Sequence, residues 1–170
     1  MMPVVYAPQM PKKKEKLLLW GFLILGLAAF LASRIPQVLL PLGLQAVGTV
    51  SLVLAAMIFT KYVSRRYVYC VEMNEESLAT GSPDFTVTEY AGNRLRVVCR
   101  ISVDEVESVE RITRENRARL KRETRECACF DYTGVLFCED VYLVRLRGSE
   151  EHTCLRILAN KDLICALSRR

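Results

Sequence analysis

Two long uncharged runs open the hydrophobic pattern. Leu17 to Ser33 carries no charge, and Ile35 to Thr60 carries none either, so Arg34 alone interrupts them. Runs of this length and apolarity predict two membrane spans. Pro36 and Pro41 stand where a proline is tolerated at a helix entrance, which places the continuous second helix at residues 42–60 and the first at 17–33. At 1.5 Å per residue these helices measure about 28 Å and about 26 Å, close to the hydrocarbon thickness. Trp20 near the start of the first is suited to an interfacial anchor.

Beyond Arg66 the period changes to two. In Leu95 to Ile101, Leu95, Val97, Cys99 and Ile101 share one face while Arg96, Val98 and Arg100 share the other; Tyr142, Val144 and Leu146 alternate with Val141, Leu143, Arg145 and Arg147 in the same way. Such alternation predicts half-buried strands, and residues 67–73, 84–90, 126–132 and 153–158 complete the set. The joints at Thr80-Gly81-Ser82-Pro83, Ala91-Gly92-Asn93 and Gly148-Ser149-Glu150 are rich in turn residues, so the strands they join pair antiparallel. Residues 67–73 and 153–158 present themselves as sheet edges able to accept a partner strand.

Two stretches depart from alternation. Ser102-Val103-Asp104-Glu105 has the form of a capping box and introduces a charged run that reads as helix through Glu123. It reads equally well as a short turn, a strand through Ile112 and a solvated excursion from Thr113. Near the C-terminus Asn160 caps a predicted helix through Arg170 that presents Leu163, Ile164 and Leu167, with Arg169 and Arg170 matched to the negative end of its dipole.

The strand Tyr67-Val68-Tyr69-Cys70-Val71, the strand Leu95-Arg96-Val97-Val98-Cys99 running into Ile101-Ser102-Val103-Asp104-Glu105-Val106-Glu107-Ser108-Val109, and Asp140-Val141-Tyr142-Leu143-Val144 before the last strand and helix carry a resemblance. The chain resembles small bacterial membrane proteins in which a two-helix anchor precedes a pleckstrin-homology-like domain. That resemblance spans nearly everything after residue 16. It implies a membrane α-helical hairpin followed by a mainly-β, α+β domain: a bent antiparallel barrel of six to seven strands with a C-terminal helix. It brings no catalytic or ligand residues. The domains expected are a basic N-terminal tail (1–16), the hairpin (17–60), a basic juxtamembrane linker (61–66) and the PH-like domain (67–170).

Charge sharpens the picture once it is divided along the chain. The net charge is +5, yet residues 1–66 hold eight basic side chains against one acid, Glu15, leaving +7, and the remainder holds sixteen against eighteen, leaving −2. A nucleic-acid binder would place its excess on the folded domain, so that class is disfavoured, and a mean hydropathy of +0.16 excludes disorder. Lys12, Lys13, Lys14 and Lys16 precede the first span and Lys61, Arg65 and Arg66 follow the second, against Arg34 between them, so both ends are expected in the cytoplasm of a multi-pass plasma-membrane protein. Reading Lys12 to Ser33 as a cleaved signal peptide is the rival, but the apolar run is long, no A-x-A site follows, and a second span comes at once. The cytoplasmic placement of the domain survives either reading.

Candidate chemistry is sparse. No Asp, Glu, Lys or His lies within residues 17–60, and Gln45 is the strongly polar side chain of the second span, which argues against transport. The small residues Gly21, Gly26, Gly43, Gly48, Ala55 and Ala56 lack GxxxG spacing, which favours packing of the two helices on each other over specific self-association. Seven cysteines, 70, 99, 127, 129, 138, 154 and 165, are expected to be reduced thiols. Cys127 and Cys129 point one way on a strand and, with Cys138 and His152 or Cys154, offer zinc ligands, although paired C-x-x-C spacing is absent and buried structural cysteines are common. His152 has no partner motif, and Asp104, Glu105, Glu107, Glu139 and Asp140 form surface-like clusters. No phosphate loop, G-x-S-x-G or H-E-x-x-H occurs, so no enzyme activity and no cofactor are expected. Arg111, Arg114, Arg117, Arg119, Lys121, Arg122 and Arg125 oppose Glu115, Glu123 and Glu126, a local +4. This segment reads either as an anionic-headgroup surface, at about 1 kcal/mol per basic residue, or as a solvated face neutralised by its glutamates.

The expectation from sequence is a non-catalytic binding or scaffold module held at the cytoplasmic face by its hairpin, with the bilayer and another membrane or cytoplasmic protein as partners. A second copy of the chain is admitted as a partner and nucleic acid is not. A headgroup sensor acting through Arg111 to Arg125 is one alternative, and a zinc or redox module using Cys127, Cys129 and Cys138 is the other.

Overall fold

A computed structural model describes residues 3–8, 12–35, 41–73, 81–136, 138, 140–147 and 153–168. Pro36, Glu139, His152, Arg169, Arg170, and the Thr80 and Gly148-Ser149-Glu150 turn residues lie outside them. The chain divides into a helical unit, residues 10–65 with 135–137, and a β-rich unit made of residues 1–9, 66–134 and 138–170.

In the helical unit, α1 (Lys13–Ala32) and α2 (Pro41–Ile58) are both long and apolar enough to cross a membrane by length and composition. α2 continues into a π-helical turn over Phe59–Val63. Small side chains let the backbones approach. A Cβ on Gly26 would lie 2.9 Å from the Leu52 side chain and 3.2 Å from the Gly48 carbonyl oxygen, and one on Gly48 would lie 2.9 Å from Phe30. Ala29, Ser51 and Ala55 extend this buried seam. The seam pairs one glycine from each helix, so it needs no GxxxG within either. The outward faces expose large apolar side chains such as Leu17, Ile24, Leu31, Leu42, Val50 and Met57. Helix α1 begins at Lys13 rather than Leu17, because Lys13, Lys14 and Lys16 are good helix formers and Glu15 favours a first turn.

Lys12 Nζ donates to the carbonyls of Tyr62 and Arg65. The cation thereby satisfies acceptors left open where the π turn ends. Glu15 is buried, and its Oε1 accepts the Leu136 N–H at 3.1 Å.

Among the described residues, the β-rich unit holds eight strands in two four-stranded sheets. The first has order β1-β2-β3-β4: β1 (Val4–Tyr6), β2 (Arg65–Glu72), β3 (Asp84–Ala91) and β4 (Arg94–Ser102). The second has order β5-β7-β8-β6: β5 (Val106–Arg111), β6 (Ala128–Asp131), β7 (Val141–Leu146) and β8 (Thr153–Leu158). A 3₁₀ turn, Val103–Glu105, links β4 to β5. Helix α3 (Arg117–Glu123) lies between β5 and β6, and α4 (Lys161–Leu167) follows β8. Asn160 caps α4 as expected, its Oδ1 accepting the Leu163 N–H at 2.9 Å.

The arrangement is two sheets, not a closed barrel, and it is not wholly antiparallel. β6 runs parallel to β8, with Cys129 opposite Cys154. The connection from Tyr132 to Asp140 is long enough to carry the chain past β8 before β7 begins, which the short-joint rule does not anticipate. Residues 4–6, expected as part of a basic tail, form an antiparallel edge on β2, pairing Val4 with Val71 and Tyr6 with Tyr69. Consequently β2 is flanked by β1 and β3, and β8 by β7 and β6, so neither strand expected to be an open edge is one. The stretch after Ser102 resolves as 3₁₀ turn, strand and a short helix, closer to the second of its two readings.

Alternation builds the core. Tyr67, Tyr69 and Val71 turn inward from β2. β8, with neighbours on both sides, buries Cys154, Leu155, Ile157 and Leu158. Tyr69 stacks between Tyr6 (ring centroids 6.2 Å apart) and Phe85 (6.4 Å). Its hydroxyl donates to the Tyr132 carbonyl at 2.8 Å and accepts the Leu158 N–H at 3.2 Å, which ties the two sheets together.

Candidate interaction surfaces

Among the described residues of the β-rich unit, the β3–β4 hairpin exposes Tyr90, Leu95 and Val97, while β1 exposes Val5 and β6 exposes Phe130. Gly92, at φ 60, supplies the left-handed position of the hairpin's two-residue turn, with Ala91 paired to Arg94. The register places Tyr90 opposite Leu95 and Thr88 opposite Val97, so these four share one face. Leu95 is 61% exposed and Val97 53%. Strict alternation groups Leu95 and Val97 with Cys99 and Ile101, but the register shift between Val87 and Thr88 sets Cys99 and Ile101 opposite the buried Val87 and Phe85 and turns Leu95 and Val97 to the other face. Arg94 and Arg96, the latter opposite Glu89, lie on the face of Cys99, whereas Arg100, ion-paired to Asp84 at 2.8 Å, shares the face of Leu95 and Val97. β4 is the terminal strand of its sheet. Its outward carbonyl at Val98 accepts from Tyr132 Oη at 3.4 Å, which leaves the stretch from Arg94 to Val97 as the open portion of this edge.

The basic segment divides into two groups. Arg111 pairs with Asp140 at 2.7 Å, and Arg119 pairs with Glu110 and with Glu123, the latter at 3.4 Å. Glu123 also binds Arg145, and this hydrogen bond raises the Arg145 pKa further. Asn116 fixes the turn before α3: its Oδ1 accepts the Thr113 N–H at 2.7 Å and its Nδ2 donates to the Arg111 carbonyl at 2.8 Å. α3 is held down by Leu120, which is 3% exposed. Arg114, Arg117, Lys121, Arg122 and Arg125 are exposed and make no ion pair among the described residues. The local positive field is therefore carried by five side chains rather than seven.

The cysteines do not gather as a zinc set. Cys154 is buried, Cys127 is half-buried and Cys129 exposed. The Cys127 thiol donates to the Glu123 carbonyl at 3.7 Å and the Cys129 thiol to the Thr124 carbonyl at 3.8 Å, and burial and these two thiols raise the Cys154 pKa. Cys138 sits near Tyr6. Among the described residues, no group of three or more His, Cys, Asp and Glu side chains is arranged to hold a metal ion. Burial raises the pKa of Cys70 and Cys99, which reduces their reactivity as thiolates.

A cleft of about 470 Å³ lies between the 3₁₀ turn, β5 and the end of α4. Val103, Val106 and Leu167 supply its apolar lining, and Asp104, Glu107 and Arg147 its charges. Sequence reasoning placed these carboxylates on the surface, but the cleft joins residues some sixty positions apart and has no local signal.

Of the topology residues, Lys12 is engaged with the Tyr62 and Arg65 carbonyls, and Lys61 lies 5.5 Å from the Tyr62 ring centroid. Lys13, Lys14, Lys16, Arg65 and Arg66 are exposed. No protein-family model matches the chain, and neither a curated protein nor a solved structure is found similar to it.

Proposed function

We propose that this chain is a membrane-anchored, non-catalytic binding module: α1 and α2 form a hairpin in the bilayer, and the β-rich unit, on the cytoplasmic side, binds a protein partner. The observation that carries the reading is where apolar surface is left open. Outward-facing leucines, isoleucines and valines cover the hairpin, a surface suited to lipid. The Tyr90–Leu95–Val97 face on a terminal strand suits a partner's extended segment, with backbone pairing along β4 and apolar contacts on one side. Seven basic residues at the hairpin's two ends, against Arg34 in its turn, support the cytoplasmic side. Two helices, two sheets and a closing helix are also what supports the pleckstrin-homology-like, bacterial reading.

A second reading is supported by the five unpaired cations of the α3 segment: contact with anionic lipid headgroups. Purification of the full chain from membranes in mild detergent separates the two. The first predicts a stoichiometric protein partner that is lost in the Leu95→Arg, Val97→Arg double variant and kept when Arg117, Lys121 and Arg122 are changed to Glu. Retained anionic lipid that disappears with the charge reversals, and no partner sensitive to Leu95 and Val97, would overturn it in favour of the second.

A further inference from the structure

Cys127, Cys129 and Cys154 meet at the β6–β8 pair, and the proposed function makes no use of them. Cys129 and Cys154 are register partners on adjacent parallel strands. Neighbouring strands lie about 4.7–4.9 Å apart, inside the Cα separation of about 4.4–6.8 Å that a disulfide spans. The Cys127 and Cys129 thiols donate to the Glu123 and Thr124 carbonyls at 3.7 and 3.8 Å, and both lie near enough to Cys154 to raise its pKa. Cys154 is 1% exposed and packs with Leu120 and Leu143, against which Cys127 also rests. Cys129 is exposed, on a strand that ends its sheet. One thiol of the pair is thus open to a soluble reagent and the other is reached only through the first.

We propose that Cys129 and Cys154 form a site of reversible oxidation, in which a low-molecular-weight disulfide such as glutathione disulfide closes a covalent bond between β6 and β8. In the first step the Cys129 thiolate attacks one glutathione sulfur. The protein–glutathione disulfide forms, the glutathione S–S bond breaks, and one glutathione leaves as thiolate and takes up the proton that Cys129 gave. In the second, the Cys154 sulfur attacks Cys129 Sγ, displaces the second glutathione, and its proton passes to that leaving thiolate. Two protein thiols lose two electrons in all, and one glutathione disulfide becomes two glutathiones. Burial and the two neighbouring thiols push Cys154 up to about 12, so its thiolate is scarce near neutrality. The second step then accelerates about tenfold per pH unit between about pH 7 and pH 9.

The test uses the full chain, reduced and held in detergent micelles, exposed to glutathione disulfide, alkylated and digested with trypsin. Residues 126–145 and 148–156 fall on separate tryptic peptides, so a Cys129–Cys154 bond joins them until reductant is added. Cys129→Ser, an exposed and structurally mild change, is expected to abolish the joined species, and Cys138→Ser to leave it intact. Cys154→Ser is expected to stop the reaction at glutathione-modified Cys129. Absence of joined peptides, linkage of Cys154 to Cys127 or Cys138 instead, or joining that appears only in urea would overturn the proposal.

Discussion

Both lone pairs and the proton of Tyr69 face the interior, and one hydroxyl serves two backbone groups from different segments. A phenylalanine at this position keeps the ring between Tyr6 and Phe85 but strands the Leu158 N–H and the Tyr132 carbonyl. Leaving a buried N–H unpaired costs about 1–3 kcal/mol, so Tyr69→Phe is expected to lower stability by that amount, measured by denaturant unfolding of the full chain in detergent. The same hydroxyl gives stability an alkaline limit. Burial raises the Tyr69 pKa well above the ordinary 10.0, and burial also raises those of Tyr6 and Tyr132. As pH passes 10 the unfolded chain gives up these protons first, so stability is fully present below that pH and falls as pH rises above it. Tyr69→Phe should therefore also flatten the alkaline decline seen by thermal unfolding; an unchanged slope would contradict the assignment.

Among the elements, the hairpin is built so closely that one small branched side chain tests it. Gly48→Val puts side-chain atoms where Phe30 and the Gly26 carbonyl already stand, and overpacking of this kind costs about 1–3 kcal/mol. Gly21→Ala meets nothing within 4 Å and should leave thermal stability in detergent unchanged, which makes it the matched control. These helices were legible because seventeen uncharged residues admit few other readings, and β2 and β8 because Tyr67, Tyr69, Val71 and Leu155, Ile157 keep period two. β1 was not: three residues followed by Ala7-Pro8 show no period, and their partners lie more than sixty positions away. The parallel β6–β8 register and the meeting of Cys129 with Cys154 are non-local in the same sense. Leu95 and Val97 illustrate a different failure. Alternation reports which residues share a face only while the register is unbroken, and the bulge between Val87 and Thr88 turns Leu95 and Val97 away from the face that holds Cys99 and Ile101.

For the molecule as a whole, the most consequential pairing is β1 with β2, because the entire hairpin lies between them in sequence. Antiparallel partners must lie on one side of any membrane, so the chain between Tyr6 and Arg65 can cross it only an even number of times. The fold thus constrains topology independently of the positive charges. Epitope tags placed before Val4, after Arg170, and between Pro36 and Leu40, probed in intact and permeabilised cells, read this out. The two outer tags are expected to become accessible only on permeabilisation and the middle tag to be accessible without it. Outer tags on opposite sides would be incompatible with the β1–β2 sheet, whereas three tags inside would leave the sheet intact and remove the spans. The measurement therefore tests fold and membrane insertion separately, and the proposed binding module requires that both stand.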